Sequence, residues 1–377
     1  MKNILLIAHN PLLKSDIYTP RGGAISIKEI CEQLAKKCNV YVLQFSYFNE
    51  TKLKNNILYI TKKANSILMK RIISEIVAKE KDINLIVTWG HEAKIARYIY
   101  SEYGINYIMF VQRFQTLING YLKLMNEFET LIEKKNSPYN LNYISRIKKY
   151  IRVFITFFCD NFLYECDIET AFKDALIICS NSKYTSMCIK KLFKKDSFLM
   201  YPTITPEKYI FKGKVKKEFI TFMSVNLTSK EKDMFTALAS RFPKEKFLLV
   251  GTKYETQLKN IYFQEKFTSD VRKLYAKTKI ILRPRVIPEP FGRTPLEASV
   301  SGIPSIVTDL GGHSEATGKG GILVKPNSNI QTWEAHLRYM LNNYDLYSQR
   351  AREHFKGFYN EYTKKQMSQL IEKIIQM

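Results

Sequence analysis

Short apolar runs alternate with amphipathic stretches along most of the chain. Residues 3–9 form an apolar run of strand length, and residues 24–37 place Ile25, Ile27, Ile30 and Leu34 at helical spacing. Residues 39–45 return to a strand pattern, which makes a βαβ unit with Arg21-Gly22-Gly23 at its turn. Further strands are predicted at 84–88, 106–111 and 175–179. The rhythm breaks between 118 and 170. There, residues 142–160 read as one helix, with Tyr143, Ile147, Tyr150 or Ile151, Phe154 and Phe158 on one face and Arg146, Lys148, Lys149 and Arg152 mostly on the other. Such a helix either packs on a core or lies on an anionic bilayer. Two prolines in Tyr201-Pro202-Thr203-Ile204-Thr205-Pro206 place a linker there. Strands follow at 219–225, 246–251, 260–264, 280–282, 305–308 and 320–324, and residues 330–377 are helical and basic. The alternation predicts α/β architecture with parallel sheets. It divides the chain into a first domain at 1–200, a second at 201–350 and a C-terminal helix at 351–377 that returns to the first.

The segment from Arg283 to Thr317 is the most informative. Glu289 and Glu297 stand eight positions apart, separated by Pro290-Phe291-Gly292-Arg293 and a helix start at Thr294-Pro295-Leu296. Thr294 fits an N-cap, with Pro295 at the first helical position and Glu297 three residues on, which is a capping box. Gly302 and Pro304 end that helix. Glu289 precedes a proline, so it is expected to be extended and exposed. A Gly loop running into a helix N-terminus at the carboxyl end of a strand is where anions bind in open α/β sheets. Free N–H groups at Gly292, Arg293 and Thr294 would face one. Spacing alone leaves open whether Glu297 does more than close its box.

Glu289-Pro-Phe-Gly-Arg-Thr-Pro-Leu-Glu297, the following Gly302-Ile303-Pro304 and the downstream Gly311-Gly312 resemble the Glu-x7-Glu signature of family 4 retaining glycosyltransferases. The resemblance is strong over roughly 219–325 and architectural over 1–200. It implies the GT-B fold, two Rossmann-like α/β domains facing an interdomain cleft. In such enzymes the first glutamate bonds sugar hydroxyls and the second the ribose, while intervening amides hold the sugar and diphosphate. The resemblance therefore implies those roles for Glu289, for Glu297, and for Phe291, Gly292, Arg293 and Thr294. It implies Gly22 and Gly23 against the donor phosphates, Phe267 and Thr268 against the nucleobase, and Lys230 on the leaving diphosphate. Two departures stand out. The arginine expected near Val225 or Asn226 is missing, and Glu231 replaces a glycine after Lys230; Arg283, Arg285 or Arg293 could supply the lost cation. The fourth strand ends in Val111-Gln112-Arg113 where a histidine is common, which leaves His91 after the preceding strand as the candidate near the reacting sugar.

The implied reaction moves a sugar from a nucleotide diphosphate sugar, most readily a UDP-sugar, to an acceptor hydroxyl. Retention is expected, with neither cofactor nor metal. The alternative is a GT-B protein that binds nucleotide sugar or glycan without turnover. Composition adds less. The 377 residues suit two domains. A net charge of +24, divided evenly between 1–200 and 201–377, suits an extended anionic partner such as a membrane surface or acidic glycan. With the aromatic content it points to a glycan or lipid-linked acceptor and polysaccharide or envelope synthesis. No motif supports nucleic-acid binding. The six cysteines, Cys31, Cys38, Cys159, Cys166, Cys179 and Cys188, have neither zinc nor redox spacing and fit buried reduced thiols. Residues 1–7 lack a cleavage site, so a cytoplasmic protein is expected, peripheral at most on the inner face of the cell membrane.

Overall fold

The computed structural model describes residues 1–8, 22–46, 50–63, 71–73, 75–77, 82–89, 93–111, 168–224, 227–265, 270–359, 362 and 365–376. Two compact units emerge. One holds 1–181, 185–199 and 371–377; the other holds 182–184 and 200–370.

The first unit is built on an eight-stranded sheet of order β3-β4-β2-β1-β5-β6-β7-β8. Its strands are β1 (Asn3–Ala8), β2 (Asn39–Ser46), β3 (Glu50–Lys54), β4 (Ile57–Lys63), β5 (Ile83–Trp89), β6 (Tyr107–Val111), β7 (Ile177–Ser180) and β8 (Phe198–Leu199). All pairings are parallel except β3 with β4. β1 is apolar from Ile4 to Ala8 because both faces are covered, the signature of a buried parallel strand. The β3–β4 hairpin was not foreseen. Every residue of β3 is exposed, so its pattern carries no burial signal. The local cue was Asn55-Asn56, both left-handed at φ 51° and 60°, the turn chemistry of a two-residue hairpin. Helix α1 (Gly22–Leu34) begins at Gly22, so Gly22 and Gly23 open the helix and are not a turn before it. Helices α2 (Ala93–Tyr103), α3 (Ile168–Asp174) and α4 (Lys183–Phe193) complete the described part. The basic helix expected over 142–160 lies outside the described residues. Cys31, Cys38 and Cys179 are buried thiols and Cys188 is half-buried.

The second unit carries six parallel strands ordered β11-β10-β9-β12-β13-β14. They are β9 (Phe219–Met223), β10 (Lys246–Val250), β11 (Ile261–Gln264), β12 (Thr278–Arg283), β13 (Ser305–Thr308) and β14 (Gly321–Val324). Between them run α5 (Ser229–Arg241), α6 (Val271–Lys277), α7 (Arg293–Ser299) and α8 (His313–Thr317). Helices α9 (Ile330–Asn342), α10 (Tyr344–Phe358) and α11 (Lys365–Gln376) follow the last strand. Phe222, Phe235, Phe247, Leu282 and Trp333 centre its core. The strand order reverses between β9 and β12: the chain steps outward through β10 and β11, then returns to the other side of β9. In open α/β sheets ligands sit at that reversal, beyond the strands' carboxyl ends. Among the described residues, no helix is long and apolar enough to cross a membrane.

Candidate functional site

The two strands flanking the reversal deliver most of the chemistry. β12 ends at Arg283, and the following loop carries Arg285 and Glu289; β9 leads into α5, whose first turn holds Lys230 and Glu231. Glu289 is not exposed as its sequence context suggested. Its side chain is 23% exposed, and Oε1 forms an ion pair with the Arg283 guanidinium and a second with Arg285 Nε at 3.1 Å. Arg283 is held from behind, donating from Nη1 to the Met223 carbonyl at 2.7 Å. Oε2 of Glu289 lies 3.8 Å from Nε2 of His313, beyond hydrogen-bond range. His313 is fully buried and its Nδ1 donates to the Thr308 carbonyl at 2.9 Å. One carboxylate oxygen is thus committed to the arginines, and the other stands beyond hydrogen-bond range of His313.

The backbone of Glu289 is equally constrained. It forms a parallel bridge with Gly311, and its carbonyl accepts from the Gly312 N–H at 2.8 Å. Gly311 sits at φ 73°, and a Cβ there would overlap the Glu289 carbonyl oxygen. The paired glycines are therefore needed for close backbone approach.

Burial pushes the Glu289 carboxyl up, but Arg283, His313 and Arg285 outweigh it and hold the group well below the usual carboxylate range. A depressed folded-state pKa contributes stability that is fully present above the unfolded value of about 4.3 and is lost as pH falls below it. Calorimetric melting from about pH 5 down to about pH 3 should therefore show a steeper loss of Tm for the wild type than for Glu289→Gln.

Helix α7 corrects the expected cap. It starts at Arg293 with Gly292 as N-cap in the left-handed region (φ 82°), and no side chain caps it. Thr294 is inside the first turn, Pro295 is two positions further into the helix than expected, and the box with Glu297 does not form. A Cβ on Gly292 would overlap the His313 ring, so packing against α8 draws the left-handed residue to this position. Glu297 is instead tied by its neighbours. Oε1 accepts from Arg293 Nε at 2.9 Å and from the Tyr209 hydroxyl at 3.1 Å; Oε2 accepts from the Tyr275 hydroxyl at 2.9 Å. Burial, then the Glu297 charge, keep the Tyr275 phenol well above its ordinary pKa, so it remains a donor. Phe291 is buried against Tyr201 and Phe358 at ring distances of 5.7 and 5.8 Å, which leaves only its backbone for a ligand.

Lys230 is exposed and lines a cavity of about 640 Å³ with Arg285, Pro288, Thr308, Lys325 and Trp333. Of the other expected site residues, Gly22 and Gly23 lie in the first unit, after β1. His91, Phe267, Thr268 and the vacant arginine position at Val225 and Asn226 lie outside the described residues. Sequence reading missed Glu231, Tyr209, Tyr275 and His313. Only Glu231 had a local cue, the Thr228-Ser229-Lys230-Glu231 pattern of a capping box, and that box does form: Thr228 N–H donates to Glu231 Oε2 at 3.0 Å and Glu231 N–H to the Thr228 hydroxyl at 3.3 Å.

Residues 207–356 match the family model of glycosyl transferases group 1. The fold is GT-B. Sucrose-phosphate synthase from Thermosynechococcus elongatus superposes with a TM-score of 0.73 at 14% identity, covering 100% of this chain and 99% of that one. The Anabaena protein HepE, solved in complex with UDP, gives 0.69 at 14% identity over the whole of both chains. WaaG, a glycosyltransferase involved in lipopolysaccharide biosynthesis, gives 0.63 at 13% identity, covering 98% of this chain and 99% of that one. No curated protein matched the chain in sequence. The family match spans the strand reversal, both glutamates and the Gly311-Gly312 turn.

Proposed function

We propose that this protein is a glycosyltransferase that moves a sugar from a UDP-sugar to an acceptor hydroxyl with retention of anomeric configuration. The observation that carries the reading is the conjunction of the family match over 207–356 with Glu289 fixed at the strand reversal, one carboxylate oxygen unoccupied. HepE holds UDP in the same fold, which supports a uridine nucleotide here. In this reading Glu289 Oε2 accepts from a sugar hydroxyl. Glu297, positioned by Arg293, Tyr209 and Tyr275, faces the ribose. Amides of Phe291, Gly292, Arg293 and Thr294 hold the sugar and diphosphate, and Lys230 neutralises the departing diphosphate without a metal. Gly22 and Gly23, Phe267 and Thr268, and His91 belong respectively to the phosphate, nucleobase and sugar sides. The two carboxylates orient the donor and are not a hydrolytic acid/base pair. The net charge of +24 and the WaaG likeness favour a glycan or lipid-linked acceptor in envelope or polysaccharide synthesis, reached by a cytoplasmic protein at an anionic membrane surface.

A second reading, binding without turnover, is favoured by one observation: Glu289 and Glu297 are both engaged with protein cations or hydroxyls. Thermal shift against UDP-glucose, UDP-galactose, UDP-N-acetylglucosamine, GDP-mannose and ADP-glucose separates the outcomes when paired with an assay of nucleotide release. A ligand at 100 times its Kd stabilises by about 2.7 kcal/mol, a clear shift. Stabilisation with nucleotide release supports transfer, stabilisation without it supports binding alone, and no shift with any of the five overturns both. Lys230→Ala is expected to lower kcat by about 10²-fold while Tm stays within about 1 °C, because Lys230 is exposed.

A further inference from the structure

Glu231 is the least expected charge in the second unit. Its side chain is fully buried, yet a capping box uses only one of its oxygens. Oε1 points away from the cap and pairs with Arg285 Nη1 at 3.0 Å. The same guanidinium faces Glu289 through Nε at 3.1 Å. Arg285 is 17% exposed, so the three groups form a largely dry chain: carboxylate, guanidinium, carboxylate. The chain ties the first turn of α5 to the loop after β12, across the reversal between β9 and β12. Both contacts are ion pairs by distance, and neither Glu231 Oε1 nor Arg285 Nε has a hydrogen-bond partner among the described residues. A buried carboxylate holds a neighbouring guanidinium by charge, so Glu231 sets where Arg285 rests beside Glu289. Arg283, anchored on the Met223 carbonyl, meets Glu289 Oε1 as well. Each arginine thus has an anchor that originates at the β9 end or in α5.

We propose that Glu231 is a positioning residue for Glu289, acting through Arg285, so that the donor-sugar contact depends on a carboxylate with no path to the ligand itself. This rests on the glycosyltransferase reading for its kinetic consequence, but not for its geometric one. Without Glu231, Arg285 keeps a single carboxylate partner and can swing into the adjoining cavity that it lines with Lys230. Glu289 Oε1 then follows it, and Oε2 leaves its place beside His313.

Glu231→Gln is the deciding variant, because glutamine also closes a capping box and so keeps α5 intact while removing the ion pair. The nucleotide sugar of highest affinity in the five-member panel and its parent nucleotide diphosphate are the probes. For the variant, KM for the nucleotide sugar is expected to rise about tenfold, whereas Kd for the diphosphate alone changes less than about twofold, since only the sugar reaches Glu289. Tm should stay within a few degrees of wild type. Arg285→Met alone would strand a buried carboxylate. The double variant Glu231→Gln/Arg285→Met removes both charges, and its kinetic loss should not exceed that of Glu231→Gln by more than about twofold, as one shared pathway requires. Crystal structures of wild type and Glu231→Gln supply a readout independent of activity. A Glu289 carboxylate displaced from its wild-type place supports the proposal even if no panel member binds, in which case only the functional reading fails. A Glu289 carboxylate that stays in place, or a nucleotide-sugar KM equal to wild type, overturns it.

Discussion

Replacing Glu289 with alanine is expected to abolish sugar transfer and, at the same time, to destabilise the second unit by about 3 kcal/mol. The first effect follows from its proposed contact with the donor sugar. The second follows from what the substitution leaves behind: Arg283, with only 8% of its side chain exposed, loses its carboxylate, and Arg285 keeps only Glu231. From the sequence alone the residue was an exposed loop carboxylate, and its removal would have left the fold untouched. Denaturant unfolding checks the stability, with a lowered midpoint at unchanged m-value expected. Nucleotide release checks the activity. Glu289→Gln should retain more stability than alanine, because the amide oxygen still accepts from a guanidinium, and should still be severely impaired. A Glu289→Ala protein as stable as wild type would mean that the two arginines do not depend on this carboxylate.

The second large effect is expected at Gly311. Gly104 and Gly311 have nearly the same left-handed backbone, at φ 68° and 73°, so alanine meets the same intrinsic strain at each, about 1 kcal/mol. Their surroundings differ. A Cβ at Gly104 has nothing within 4 Å, while one at Gly311 runs into the carbonyl oxygen and amide nitrogen of Glu289. Backbone cannot turn aside as a side chain can, so Gly311→Ala must break the bridge between Gly311 and Glu289. Its stability loss should reach about 3 kcal/mol or more, against about 1 for Gly104→Ala. Moving Glu289 by even an ångström is expected to reduce kcat/KM by about 10²-fold. Parallel unfolding and kinetic measurements on the two variants would test this, and equal losses would show that the Gly311 turn does not hold Glu289.

Strand and helix order could be read along the chain wherever periodicity reported burial. β1, β2, β5, β6, β7, β9 to β12 and β14 fall within two residues of the predicted runs, and β13 matches its run. Most are buried parallel strands, largely apolar on both faces, and so stand out from their neighbours; the edge strands β11 and β14 are only partly buried. β3 escaped because an exposed edge strand has no such contrast, whereas β4, buried at Ile57, Tyr59 and Thr61, was missed despite its alternation. The site was legible to a more limited degree. Glu289 and Glu297 were visible as a spaced pair, and Gly311-Gly312 as a turn. Tyr209, Tyr275 and His313 had no local mark, since a tyrosine that donates to a buried carboxylate looks in sequence like any core aromatic.

By itself the sequence determined the α/β class and the spacing of the two acidic positions in the candidate site. These properties come from local patterns: period, caps, glycines and prolines. The tertiary structure alone decided that Glu289 is buried between two arginines, that α7 begins two residues early on a left-handed Gly292, and that Glu231 reaches the same cluster through Arg285. The reason is that β9 and β12 become neighbours only when the sheet reverses its order. Charges far apart along the chain then meet in a largely buried space, where each must find a partner.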